Sequence, residues 1–294
     1  MRVFVTGATG FVGSAVVQDL LDAGHQVIGL VRSDAGAKSL AATGATVHRG
    51  DVQDLDSLKS GAAQADAVIH TAFIHDFSKF KESCEIDRRA ITALGETLKG
   101  SARPLIVTSG TGLLPSGRMV TEDDASLPTY PRVASEQAAE AMRAEGVNVS
   151  VMRLPPSVHG DGDHGFVPML IGMAREKGVS ATIGEGRNHW GAVHRSDAAR
   201  LYRLAIEKST GLARYHATAE EGVPFKEIAT VIGRRLGVPV VSKTPEEAQA
   251  HFTWFAHFAA MDSVASSAKT RAMTGWAPKG PGLIADIDRD AYFK

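Results

Sequence analysis

With 294 residues, 44% of them hydrophobic and 22% charged, the chain has apolar material for one large core or two modest ones. A formal net charge of −1 leaves no basic excess for tracking a phosphate backbone, and no lysine-rich stripe or block of like charge suits a membrane surface. The single cysteine, Cys84, excludes an internal disulfide and a zinc thiolate cluster, and reads as a small buried hydrophobe in a reducing compartment.

In chain order, the first half alternates short apolar runs with amphipathic stretches, the pattern of a parallel sheet covered by helices on both faces. A strand over 3–6 leads to a helix over 12–23, which stops at Gly24, and then to a strand over 26–31, completing a βαβ unit. Further strands are predicted at 46–49, 67–71, 105–109 and 147–153, with helices over 55–62, 82–99 and 131–145. After Arg153 the pattern changes to a Gly- and Pro-rich loop over 154–163, then separate helices over 167–177, 197–208, 225–236 and 245–260, with short strands near Ala181 and Tyr215. The expectation is an α/β fold: a Rossmann-type doubly wound parallel sheet over 1–153, and a smaller substrate lobe over 154–294 that packs on it and is free to return elements to it. The cleft between the two is the expected site. No apolar run reaches the ~20 residues needed to cross a bilayer and no secretion signal is seen, so the reading is a soluble cytoplasmic protein without nucleic-acid or membrane partners.

Between the first strand and first helix lies Thr6-Gly7-Ala8-Thr9-Gly10-Phe11-Val12-Gly13. Spaced glycines alone mean little, but in a βαβ unit each has its own role. Gly7 permits the tight turn, Gly10 admits a pyrophosphate close to the backbone, and Gly13 lets helix and sheet pack together. The helix N-terminus then faces the anion. This predicts a nicotinamide dinucleotide. An acidic residue after the second strand would accept from the adenine ribose and repel a 2′-phosphate; the sequence has Arg32 and Ser33 there, which favours NADP(H) over NAD(H).

With these residues in view, the chain resembles the short-chain dehydrogenase/reductase superfamily, in its extended and atypical, epimerase/dehydratase-like branches, over most of its length. The resemblance is also carried by Gly50-Asp51-Val52, Asp66-Ala67-Val68-Ile69-His70-Thr71-Ala72, Val107-Thr108-Ser109 and Val193-His194-Arg195-Ser196-Asp197. It implies that Asp51 and Val52 contact the adenine, that Thr71, Ala72 and Phe73 line the path to the nicotinamide ribose, and that the loop with Pro155 and Pro156 flanks the nicotinamide. It implies Ser109 as a hydrogen-bond donor to substrate oxygen, and a homodimer through the helices over 82–99 and 131–145.

Reductases of that superfamily use a tyrosine and, four residues on, a lysine that lowers the tyrosine pKa and holds the ribose. Here Tyr130 is followed at that spacing by Ala134. Ser135, Glu136 and Glu140 fit another register, which puts Arg132 in the tyrosine position and Glu136 in the lysine position. A guanidinium polarises but does not donate its proton near neutral pH. Glu136 then either accepts from the ribose hydroxyls or forms an i,i+4 ion pair with Arg132. The proton donor is sought in Tyr130 or among His75, His159, His164 and His194, with His159 preferred for its place beside the nicotinamide loop. His159, Asp161, Asp163 and His164 carry metal-binding atom types, but their glycine-interleaved spacing reads as a turn, and no metal is expected. Phe252, Phe255 and Phe258, with Trp254, fit core packing or a subunit contact better than a substrate wall.

The leading expectation is therefore an NADP(H)-dependent reductase of a carbonyl or related group on a small organic substrate. The missing tyrosine–lysine pair motivates a second, a cofactor-binding sensor or regulator without turnover. A third is an epimerase or isomerase that retains its cofactor.

Overall fold

Alternating residues of the first strand, β1 (Arg2–Thr6), enter two different cores: Val3 and Val5 join one buried cluster and Phe4 the other. Burial on both faces is what a central strand of a covered parallel sheet requires. The computed structural model describes residues 1–294 and follows this logic through α1 (Phe11–Asp22), β2 (Gln26–Val31), α2 (Asp34–Ala41), β3 (Thr46–Arg49), α3 (Leu55–Ala63), β4 (Ala67–His70), α4 (Phe80–Leu98), β5 (Leu105–Gly110), α5 (Ala134–Ala144) and β6 (Val149–Leu154). Helix α2 is not foreshadowed by the hydrophobic pattern. It is short and largely exposed, and its start is fixed by the Ser33 hydroxyl, which accepts from the Gly36 amide at 3.1 Å.

The remainder runs through β7 (Ser157–His159), α6 (Phe166–Lys177), β8 (Ser180–Ile183), β9 (His189–His194), α7 (Arg195–Lys208), β10 (Arg214–His216), β11 (Glu220–Pro224), α8 (Phe225–Leu236), β12 (Val240–Lys243) and α9 (Pro245–Phe252). The main sheet has seven parallel strands in the order β10-β6-β5-β4-β1-β2-β3. The order reverses between β1 and β4, and in such sheets a ligand sits beyond the C-terminal strand ends at that reversal.

Strand β10 extends this sheet from β6, and α7 packs along α1. Tyr202, Tyr215 and Trp276 enter the same core as Val3 and Val5. A separate core of Trp190, Phe225, Phe252, Phe255, Leu283 and Ile287 belongs to the smaller lobe. The expected helix over 245–260 is interrupted at Thr253, whose φ of 52° suits no regular helix; a 3₁₀ turn, Thr253–Phe255, and a short helix, Ala256–Ala259, follow. No helix is long and apolar enough to cross a membrane.

Candidate active site

The chain leaves β1 through Gly7 at φ +69°, and a side chain there would press on the Ala72 amide at 2.7 Å. A Cβ on Gly13 would lie 2.0 Å from the Gly7 carbonyl oxygen, so helix and turn meet backbone to backbone. Gly10, the N-cap of α1, donates to Gly7 O at 2.9 Å; a Cβ on it would meet nothing else within 4 Å, which leaves its outer side open. With no acid in the first turn of α1, this cradle fits a pyrophosphate. Thr71 Oγ1 donates to Thr6 O at 2.8 Å, and the Ala72 amide donates to Thr6 Oγ1 at 3.3 Å, fastening the end of β4 to the turn. On the other side Arg195 lies over the Phe11 ring at 4.7 Å and donates to Ser14 Oγ and Asp161 O.

At the end of β2, Arg32 leaves 76% of its side chain exposed, with the Asp51 carboxylate 3.8 Å away. Ser33 spends one lone pair on capping α2 and keeps its hydroxyl hydrogen free. A Cβ on Gly36 would meet Thr9 Cγ2 at 3.6 Å, so Thr9 flanks the same helix start. Asp51 and half-buried Val52 follow β3 beside them.

A buried chain of hydrogen bonds leads from the turn to the other end of the cleft. His70 places Nδ1 2.7 Å from Thr6 Oγ1 and Nε2 3.0 Å from Asp87 Oδ1 on α4. Asp87 Oδ2 accepts from Arg132 Nη1 at 2.7 Å and from Ser135 Oγ. Burial alone would push the Asp87 carboxyl up; the Arg132 charge and the bonds from His70 and Ser135 outweigh it and hold it below the usual carboxylate range. Arg132 also donates to Thr108 O at 3.0 Å and covers the face of Phe73 at 4.0 Å.

Glu136 has different partners. Its carboxylate accepts from Arg153 at 2.9 and 2.7 Å, from Ser109 Oγ at 2.7 Å and from Ser126 Oγ at 2.8 Å, and both Glu136 and Arg153 are buried. Burial again opposes the charge, and these bonds again hold the pKa down. The expected Arg132–Glu136 pair is therefore absent. Arg132 lies in a 3₁₀ turn, Pro131–Val133, ahead of α5, so the two residues do not share a helix face. Nor is Glu136 free to hold ribose hydroxyls, and Ser109 donates its one hydroxyl hydrogen inward.

The model of the NAD dependent epimerase/dehydratase family matches residues 3–217. The chain belongs to this family. It is 52% identical to an uncharacterized protein of Schizosaccharomyces pombe, over 100% of both chains. A sterol-4-alpha-carboxylate 3-dehydrogenase, decarboxylating, of Dictyostelium discoideum is 26% identical over 81% of this chain and 77% of that one. Among solved structures, a Thermus thermophilus UDP-glucose 4-epimerase in complex with NAD superposes with a TM-score of 0.75 at 22% identity, covering 100% of this chain and 99% of that one. The seven-stranded sheet is thus the extended short-chain dehydrogenase/reductase fold.

For this epimerase/dehydratase-family chain, the expected histidine donor needs correction. His159 is fully buried, with Nδ1 2.9 Å from Asp286 Oδ2 and Nε2 enclosed without a partner, so it cannot touch a substrate in the cleft. The acidic residues near it also diverge: Asp161 pairs with Arg289, Asp163 accepts from the Gly165 amide and faces the Tyr292 hydroxyl, and His164 turns to Gly162 O and the edge of Phe11. His194 caps α7 through Ser196. His75 is exposed at the cleft mouth, yet the apolar groups packed on its inner side, with Arg132 and His164, keep its pKa below the usual histidine value. Tyr130 is half-buried near His257, and Pro155 and Pro156 follow β6 as expected.

Of the aromatic stripe, Phe252 and Phe255 are core, while Phe258 and Trp254 face Phe77 across the cleft. Sequence reasoning missed His70, Asp87, Arg153 and Arg195 as site residues. Asp87 did leave a signal: it sits at the buried spacing of α4 with Ser83, Ala90, Ile91 and Leu94, where an acid demands a partner.

Proposed function

We propose that the chain is an NADP(H)-dependent oxidoreductase that reduces a carbonyl or related unsaturated group on a small organic substrate. The observation that carries the cofactor choice is Arg32, exposed after β2 beside the free hydroxyl hydrogen of Ser33, where a 2′-phosphate would accept from both. In this reading the amides at Gly10, Phe11, Val12 and Gly13 hold the pyrophosphate, Asp51 and Val52 flank the adenine, and Thr71, Ala72, Phe73, Pro155 and Pro156 line the nicotinamide end. The bound cofactor supplies hydride. Arg132, fixed by Asp87 and Thr108 O, stabilises negative charge on the substrate oxygen, and the proton is taken from Tyr130 or solvent. The solution species is read as a homodimer joined through α4 and α5; a monomer mass by light scattering would remove that part.

One observation favours the second reading, a cofactor-binding sensor: Ser109 and Glu136 are locked into a buried cluster with Arg153, and the Ser109 hydroxyl hydrogen is spent on Glu136 instead of a substrate oxygen. Purified protein offered NADPH with a panel of aldehydes, ketones and imines decides between them. Loss of the reduced-nicotinamide absorbance supports the reductase, and tight NADPH binding without consumption across the panel leaves the sensor. Replacing Arg32 with Ala is expected to weaken NADPH roughly 10–100-fold and NADH little, as for losing a charged hydrogen bond; equal losses would sink the phosphate contact.

A further inference from the structure

Residues 71–79 form a strap from β4 to the first residue of α4, Phe80, and meet the smaller lobe through Phe77. The strap carries Phe73 and Phe77, with Phe77 stacked on Phe80 at 5.7 Å and 18°. From the smaller lobe Trp254 meets Phe77 at 4.7 Å and Phe258 meets it at 6.2 Å, with Phe166 behind Phe258 at 4.8 Å. These centroid separations are those of offset and edge-on aromatic pairs. Unlike Phe252 and Phe255, these rings are not core. Trp254 leaves 48% of its surface exposed and the five phenylalanines are half-buried, so apolar ring surface stays open to a ligand.

Of the charges nearby, Lys79 on the strap is exposed and in no ion pair, and the others are engaged. Arg132 is paired with Asp87, and Asp76 on the strap turns back to accept from the Ser78 amide at 3.0 Å. His75 is held toward its neutral form. The wall itself offers ring faces and edges, and its one unpaired cation, Lys79, is turned out to solvent. Phe73 joins it to the chemistry, because one face of that ring is covered by the Arg132 guanidinium.

We propose that this wall binds a planar aromatic ketone or aldehyde, its ring system slotted against Trp254 and Phe77 and its carbonyl oxygen directed at Arg132. The inference rests on the reductase reading of the same cleft and narrows its substrate class. In turnover the carbonyl carbon accepts a hydride, the π pair moves to oxygen, and that oxygen takes a proton from solvent, so that ketone and NADPH yield alcohol and NADP⁺.

The test separates binding from reaction. Protein saturated with NADP⁺, which cannot reduce the ligand, is titrated calorimetrically with 2-acetylnaphthalene and with its ring-saturated counterpart, 2-acetyldecalin. The aromatic ketone is expected to bind about 10-fold tighter, and Trp254→Ala and Phe77→Ala each to erase most of that preference, with Trp254→Phe retaining it and NADP⁺ affinity unchanged throughout. Equal affinities, or a preference that survives both alanine variants, would overturn the proposal. Replacing NADP⁺ by NADPH then distinguishes the two readings. Turnover of 2-acetyldecalin as fast as 2-acetylnaphthalene sinks the aromatic inference and leaves the reductase standing, whereas selective binding of the aromatic ketone with no NADPH consumption sinks the reductase and leaves the aromatic site.

Discussion

The Tyr292 hydroxyl has one hydrogen and three acceptors around it: Gly160 O, Asp163 Oδ2 and Asp286 Oδ2, each at 3.3 Å. Two carboxylates cannot both be served, and burial raises the Asp163 pKa from 3.8 to about 6. Between those values the folded chain keeps a proton that the unfolded chain has released, so this residue contributes stability at low pH that is lost as pH rises through about 6. Asp163→Asn resembles the protonated form at every pH. It is expected to match the parent below the window and to exceed it above, by on the order of 1–2 kcal/mol after solvent screening. Urea midpoints measured across the window check this; a variant less stable than the parent above about pH 6 would show that the carboxylate is the favoured form. The same scale explains what sequence could reveal about the site. Gly7, Gly10 and Gly13 are readable because their roles are local, whereas Arg132 finds Asp87 45 residues away and Glu136 finds Arg153 across two elements. The sequence-adjacent Arg132–Glu136 pair is the natural expectation from spacing, and long-range burial displaces it.

Among the elements, β1, β2, β4, β5 and β6 are legible because each is a short, mostly apolar run buried on both faces, while β3, the half-exposed edge strand, is found from its place in the alternation. Where α7 and β10 go is not written locally. Both follow the Gly- and Pro-rich change at Arg153, yet they return to the first layer, where Ala198, Leu201, Tyr202, Ile206 and Tyr215 complete the core begun by Val3 and Val5. A fragment of residues 1–153 would bare the α1 face that α7 covers and expose β6 as an edge strand. It is expected to aggregate or to lack cooperative unfolding, while the intact chain melts cooperatively. A soluble, monomeric 1–153 fragment with a sharp thermal transition would show that the return elements are dispensable. The 3₁₀ turn at Pro131–Val133 and the break at Thr253 belong to the same class of feature, since each re-aims side chains that a regular helix would have placed elsewhere.

At the scale of the molecule, the main sheet and the smaller lobe keep separate cores, and the cleft between them is bridged by the strap rings and by Arg195, which reaches from α7 to α1 and to the loop at Asp161. A dinucleotide held by the glycine turn and the strand ends binds the folded chain and not the unfolded one, so its binding energy adds to folding stability by mass action. At 100 times its dissociation constant, NADPH contributes about 2.7 kcal/mol. For a chain of this size that raises the melting temperature by roughly 5–10 °C. NADH at the same concentration is expected to give a clearly smaller rise, because Arg32 and Ser33 gain no phosphate partner. Arg32→Ala should bring the two curves together while leaving the melting temperature without cofactor unchanged, since the Arg32 side chain is mostly exposed and its carboxylate contact is long. Scanning fluorimetry with both cofactors reads all of this in one experiment. Equal shifts for NADH and NADPH in the parent chain would mean that the end of β2 does not select the phosphate, and that the choice of cofactor lies with residues elsewhere along the cleft.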